Sequence, residues 1–105
     1  MTDSSTRTKN GNFNKTAVLR KISELRFQHP RYGVWGGVKM LTRDISKVLG
    51  RGVSRDTIAG ALNGESLPKL DILMAMGFLL VGPDEIGRFF EVLCAVAFAD
   101  APDGA

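Results

Sequence analysis

Between Arg43 and Gly64 the chain punctuates itself at short intervals, and two short helices set at an angle satisfy the punctuation. Leu49-Gly50 closes one apolar-periodic run and Asn63-Gly64 closes the next. Glycine readily supplies the positive φ that a helix stop commonly needs. Ser54 stands where a hydroxyl can accept a free N–H of a second helix. Ile45 and Leu49 belong to the inner side of the first helix, Ile58 and Leu62 to that of the second, and Val53 fills the corner. Ser46, small and adjacent to Ile45, lets the two helices cross closely. The pattern is helix, turn, capped helix, an arrangement that aims the first side chains of the second helix outward.

The helical reading extends both ways. Val18, Ile22 and Leu25 recur at spacings of four and three, which predicts a helix over 14–28 with Asn14 as its cap. His29-Pro30 ends it, because a residue before proline avoids the α region. His29 is the only histidine and reads as a helix end, not as a ligand or a base. Residues 30–37 form an aromatic, glycine-rich loop. Tyr32 and Trp35 either pack over the core edge or, with Arg31, touch nucleic acid or a partner.

Residues 38–49 read as helix, with Val38, Leu41, Ile45, Val48 and Leu49 inward; Thr42 is an alternative start, as a cap. Residues 54–63 follow. Gly60 within them either lets a ligand backbone approach or accommodates packing. Residues 67–77 are predicted helical, with Pro68 in the first turn, Gly77 as the stop and Phe78–Val81 as a link. The methionines there read as core filler.

After Gly82-Pro83-Asp84 a last helix spans 84–99. Its Ile86, Phe89, Phe90, Leu93, Val96, Ala97 and Phe98 cover more than one face. Such a helix needs two surfaces to bury against. The domain's own core supplies one, and a second copy of the chain is expected to supply the other. The predicted fold is all-α, a compact bundle of about five helices in a single domain over 13–99. Residues 1–12, polar but carrying Arg7 and Lys9, read as a flexible basic arm, and 100–105 as a tail.

Charge divides the chain. Residues 1–55 hold twelve Lys and Arg against three Asp and Glu, a net of +9, whereas residues 56–105 hold two against eight, a net of −6. The basic part ends at the start of the capped helix, which suits one face on a polyanion.

Other classes are disfavoured. Cys94 is the one cysteine, so neither an intrachain disulfide nor a thiolate metal site is expected, and no cofactor is implied. The polar start lacks a secretory apolar region, and the apolar run that contains Leu93–Ala99 is too short to span a bilayer. The expected location is cytoplasmic, without a membrane role. Gly36-Gly37 has no Gly-Lys-Ser/Thr after it, so it is no phosphate loop. No histidine pair and no nucleophile with an identifiable base suggest an enzyme.

One stretch also resembles a known family. Gly52-Val53-Ser54-Arg55-Asp56-Thr57-Ile58, then Ala61-Leu62-Asn63-Gly64-Glu65, Pro68, and Leu70-Asp71-Ile72-Leu73 through Met76-Gly77, are similar to the Cro/lambda-repressor type of helix-turn-helix. The resemblance covers about residues 40–80. It implies a dimer on operator DNA, with the third helix in the major groove and the second across the backbone. Arg55, Asp56 and Thr57 would be the outward positions of the reading helix. Ser54 and Thr42 would lie near the groove edge, and Asn63 at a phosphate. Two features depart from the family: Arg51-Gly52 lengthens the turn, and the 29–37 loop is longer than the usual first link.

These readings converge on a sequence-specific, double-stranded DNA-binding regulator, of repressor type, working as a homodimer on a palindromic operator. Lys39, Arg43, Lys47, Arg51 and Lys69, with Thr42 and Asn63, are the expected backbone contacts. Arg55 would read a guanine, Asp56 would orient Arg55 or accept from cytosine, and Thr57 would meet a thymine methyl. The alternative is an antitoxin or antiactivator, a protein-binding module acting through the last helix. RNA binding is a third possibility, without the aromatic-bearing sheet that single-strand readers commonly use.

Overall fold

Asn14 opens the first helix as its position suggests: its side-chain oxygen accepts the Ala17 N–H at 3.0 Å. That helix, α1, runs Lys15–Gln28 and stops at His29. Four more follow in the computed structural model, which describes residues 13–99: α2 (Gly37–Leu49), α3 (Arg55–Leu62), α4 (Leu70–Val81) and α5 (Ile86–Ala97). A 3-10 turn, Pro83–Glu85, leads into α5, and the described residues contain no strand. The all-α expectation holds. The readings of 1–12 as an arm and of 100–105 as a tail lie outside the described residues. No helix described is long and apolar enough to cross a membrane.

The core is shared by all five helices. Leu19 and Ile22 of α1, Leu41 and Ile45 of α2, Ile58 of α3 and Met76 of α4 are its largest fully buried side chains. Each contributes roughly 1.5–3 kcal/mol by leaving water. α2 packs on α3 and α4, and α1 packs on α3, α4 and α5.

Several expectations are corrected. The first concerns Gly77, which does not stop α4. The helix continues through Phe78–Val81 and ends only at Gly82, where φ is +89°. A Cβ at Gly77 would lie 2.5 Å from the Phe89 ring and 2.7 Å from Ile86, so this glycine lets α5 approach rather than turning the chain. Pro68 precedes α4 instead of lying in its first turn.

The second correction concerns Thr42. It is no helix start, because α2 begins at Gly37 and Thr42 is buried in mid-helix.

The third concerns α5. Phe89, Leu93 and Ala97, expected at a dimer interface, belong to the chain's own core. The end of α5 is also occupied from within. The Asn14 N–H donates to the Ala97 carbonyl at 2.8 Å, and the Phe13 and Phe98 rings meet edge-on at 5.6 Å. Ile86, Phe90 and Val96 are partly buried against the same core. Six of the seven apolar residues expected at a partner interface pack against the chain's own core, and Phe98, beside Phe13, stays 48% exposed.

Candidate nucleic-acid interface

The inner side of α2 is set by Val38, Leu41, Thr42, Ile45 and Leu49, at helical spacing, whereas Val48, expected inward, is 46% exposed. That leaves Lys39, Arg43 and Lys47, one turn apart, exposed on its outer side. Arg43 lies at the 4.0 Å limit of an ion pair with Asp44, and among the described residues Lys39 and Lys47 have no acidic partner.

The turn into α3 is held by polar atoms. Gly50 adopts the left-handed conformation, φ 72°, that closes α2. The Ser46 carbonyl accepts from the N–H groups of both Gly50 and Arg51. The Ser46 hydroxyl works in two directions: it donates to the Thr42 carbonyl at 3.1 Å and accepts the Val53 N–H at 3.0 Å. The sequence suggested Ser46 for its size; its hydrogen bonds fix the corner. The added Arg51 is placed by Asp71 of α4, with which it makes a short ion pair. Arg51 is therefore less available to a phosphate than expected, and Asp71 is held below the usual carboxylate range chiefly by that bond.

Ser54 caps α3, accepting the Asp56 N–H at 3.0 Å. Its oxygen is thereby committed to the helix end. Arg55 and Asp56 are exposed, Thr57 is half-buried, and Ile58 and Ala61 face the core. The expected pair between Asp56 and Arg55 does not form, and Arg55 has no acidic partner among the described residues. Asp56 sits in the first turn, where a carboxylate favours the helix dipole. Gly60 is buried beneath Glu65 and Ser66, so its missing side chain opens nothing outward; a Cβ there would stand 3.4 Å from the Ser66 hydroxyl, an ordinary contact, so packing does not demand a glycine either.

Past α3 the chain doubles back. The Glu65 N–H donates to the Gly60 carbonyl and the Gly64 N–H to that of Ala61, a paired closure that leaves Asn63 exposed. Lys69, also exposed, precedes α4.

Thr42 leaves the set of backbone contacts. It is 9% exposed and its hydroxyl donates to the Val38 carbonyl at 2.8 Å.

The 29–37 loop divides. His29 Nδ1 accepts the Arg31 N–H at 3.0 Å, which makes this residue an anchor for the loop. Tyr32 is buried, and its hydroxyl donates to Asp44 of α2 at 2.6 Å; Arg31 Nε donates to the same oxygen at 2.9 Å. These two bonds hold the Asp44 carboxyl below its ordinary range. Burial first, and then the bond to Asp44, push the Tyr32 phenol up. Tyr32 thus packs at the core edge as expected, whereas Trp35 does not: it is 100% exposed. Asp44 was not singled out from the sequence, since its partners lie twelve and thirteen residues away.

Comparisons with family models, with curated proteins and with solved structures give no match to this chain.

Proposed function

We propose that this chain is a sequence-specific duplex DNA-binding regulator of repressor type, with α3 entering the major groove and α2 lying across the backbone as a lambda-repressor-like helix-turn-helix. One observation carries the reading. A capped helix presents Arg55 exposed, with no acidic partner among the described residues, beside a turn fixed by the Ser46 hydroxyl and a helix with an exposed basic row. Lys39, Arg43 and Lys47 supply the salt-dependent, sequence-independent part of the affinity. Lys69 and Asn63 extend that set. Arg55 reads a guanine through O6 and N7, and Thr57 lies behind it for an apolar contact. Trp35, in the loop just before α2, adds an exposed ring that can lie against sugar or base.

A protein-binding role through α5 is less well supported, because Phe89, Leu93 and Ala97 are internal.

The test starts with selection of bound sequences from random duplex DNA at two salt concentrations. Arg55→Ala should then lose roughly 1–3 kcal/mol on the selected site and relax one base position. Lys47→Ala should weaken selected and random duplexes alike and lower the salt slope by about one. Equal losses on both duplexes for Arg55→Ala would remove it as a reader.

A further inference from the structure

Trp35 is the one tryptophan of the chain, and it is fully exposed. An indole offers a large apolar face that folding or a partner normally covers. The loop that carries it is built, not loose. His29 Nδ1 accepts the N–H groups of Arg31 and Tyr32. The Gly33 N–H donates to the His29 carbonyl at 2.8 Å, and the Gly37 N–H to the Val34 carbonyl at 2.9 Å. A Cβ at Gly33 would overlap the Phe27 carbonyl, and one at Gly37 the Tyr32 carbonyl, so the backbone packs on itself on both sides of Trp35. A fixed backbone holds the ring out, and a ligand that stacks on it does not have to order the loop.

The surroundings narrow the ligand. Residues 25–43 hold four Lys and Arg and no Asp or Glu, and the next acid, Asp44, is occupied by Arg31 and Tyr32. Lys39 is exposed, and α2 begins, positive end of its dipole first, two residues after the ring. A flat apolar face in a cationic setting fits a base joined to phosphates. A lipid surface fits less well. Phe27, the exposed ring at the end of α1, is covered on one side by the Arg26 guanidinium, 4.6 Å from its centroid. One bare ring is enough for a base and little for a membrane. Magnitudes then separate unpaired from paired bases. Stacking one base returns no more than opening a duplex step costs, so this ring gains from a base that is already unpaired.

We infer that Trp35 is the stacking contact of a single-stranded nucleic-acid site on the loop before α2, separate from α3. The inference stands without the duplex reading.

Trp35 emission tests it on the full chain, with a single-stranded oligothymidylate as the probe. Titration should quench the emission to saturation and shield the ring from acrylamide. Trp35→Ala, at an exposed position, should keep the wild-type circular dichroism. It should bind a fluorescein-labelled oligothymidylate about five- to a hundredfold more weakly by anisotropy, and Trp35→Phe should retain most of the affinity. Arg55→Ala should leave that affinity within about twofold, since α3 is a separate site. Failure to bind the probe at low salt would overturn the inference. So would binding that leaves the emission unchanged or that Trp35→Ala does not weaken. A blue shift on phosphatidylglycerol vesicles, without quenching by the oligothymidylate, would overturn it in favour of a lipid contact. Trp35→Ala is read on single strands and Arg55→Ala on selected duplexes, so failure of this site and failure of the α3 reading give different results.

Discussion

At the α2–α3 corner the chain turns on hydrogen bonds from short polar side chains, whereas at the α4–α5 corner two helices close on the bulk of one aromatic ring. The first corner is built from Ser46, Ser54 and the Gly50 stop, and its outer surface is charged and exposed. The second is built from Gly77 beneath Phe89 and Ile86, with little that is polar. A corner closed by volume resists change in any side chain that adds atoms. A corner closed by hydrogen bonds leaves its outer side chains free to serve a ligand. The division suits a domain in which one half supplies stability and the other presents a surface.

Gly77→Val breaks the comparison from the apolar side and should have the largest effect. Its Cβ alone would stand 2.5 Å from the Phe89 ring, and its methyl groups need still more room. Overpacking of this kind costs about 3 kcal/mol, or folding altogether in a small domain. Urea unfolding measures it. A loss below about 0.5 kcal/mol would show that α5 shifts freely and that the ring does not set the corner.

Ser46→Ala breaks it from the polar side. The Val53 N–H, half-buried, loses its acceptor, at a cost of roughly 1–2 kcal/mol. The Val53 amide should exchange faster with solvent while the amides of α4 keep their protection. Binding to a selected duplex should fall further than stability does, since α3 loses its fixed angle. Unchanged exchange at Val53 would mean that apolar packing, not the hydroxyl, holds this corner as well.

The same contrast explains what was legible in the sequence. Caps and stops are local, so Asn14, His29, Gly50, Ser54 and Asn63-Gly64 marked helix ends near where the helices begin and end. Gly77 was misread because a glycine after an apolar run looks alike whether it turns the chain or admits a neighbour. Only the ring of Phe89, twelve residues on, distinguishes the two. The inner position of Thr42 is legible in the spacing of Val38, Leu41, Thr42 and Ile45, which is that of a buried helix face, although a hydroxyl there equally suits a cap. The cover over α5 was not readable, since it depends on Phe13 and Asn14 returning from the far end of the chain. Of the candidate interface, the exposed basic row and Arg55 followed from periodicity. The capture of Arg51 by Asp71 and the anchoring of Asp44 did not.

Acid sharpens the comparison with the smallest effect. Asp44 accepts bonds from Tyr32 and Arg31, and its folded value is depressed. A depressed carboxylate contributes stability that is fully present above its unfolded value, near pH 4, and lost as pH falls through the folded value. Tyr32 is neutral throughout that range, and Arg31 stays charged, so Asp44 alone changes state within the trio. The wild type should therefore hold its stability from pH 7 to about pH 5 and weaken below about pH 4. Asp44→Asn should start lower at pH 7 and fall less steeply in acid. Arg31 is exposed and water screens the pair, so the difference in slope should integrate to no more than about 1 kcal/mol. Amide exchange across the pH series locates the effect. Protection should weaken first in the 29–37 loop and the start of α2, before it weakens around Gly77 and Phe89, where no carboxylate takes part in the contact. Simultaneous loss at both corners would show that the polar and apolar halves unfold as one unit, and the contrast drawn between them would then describe their construction but not their stability.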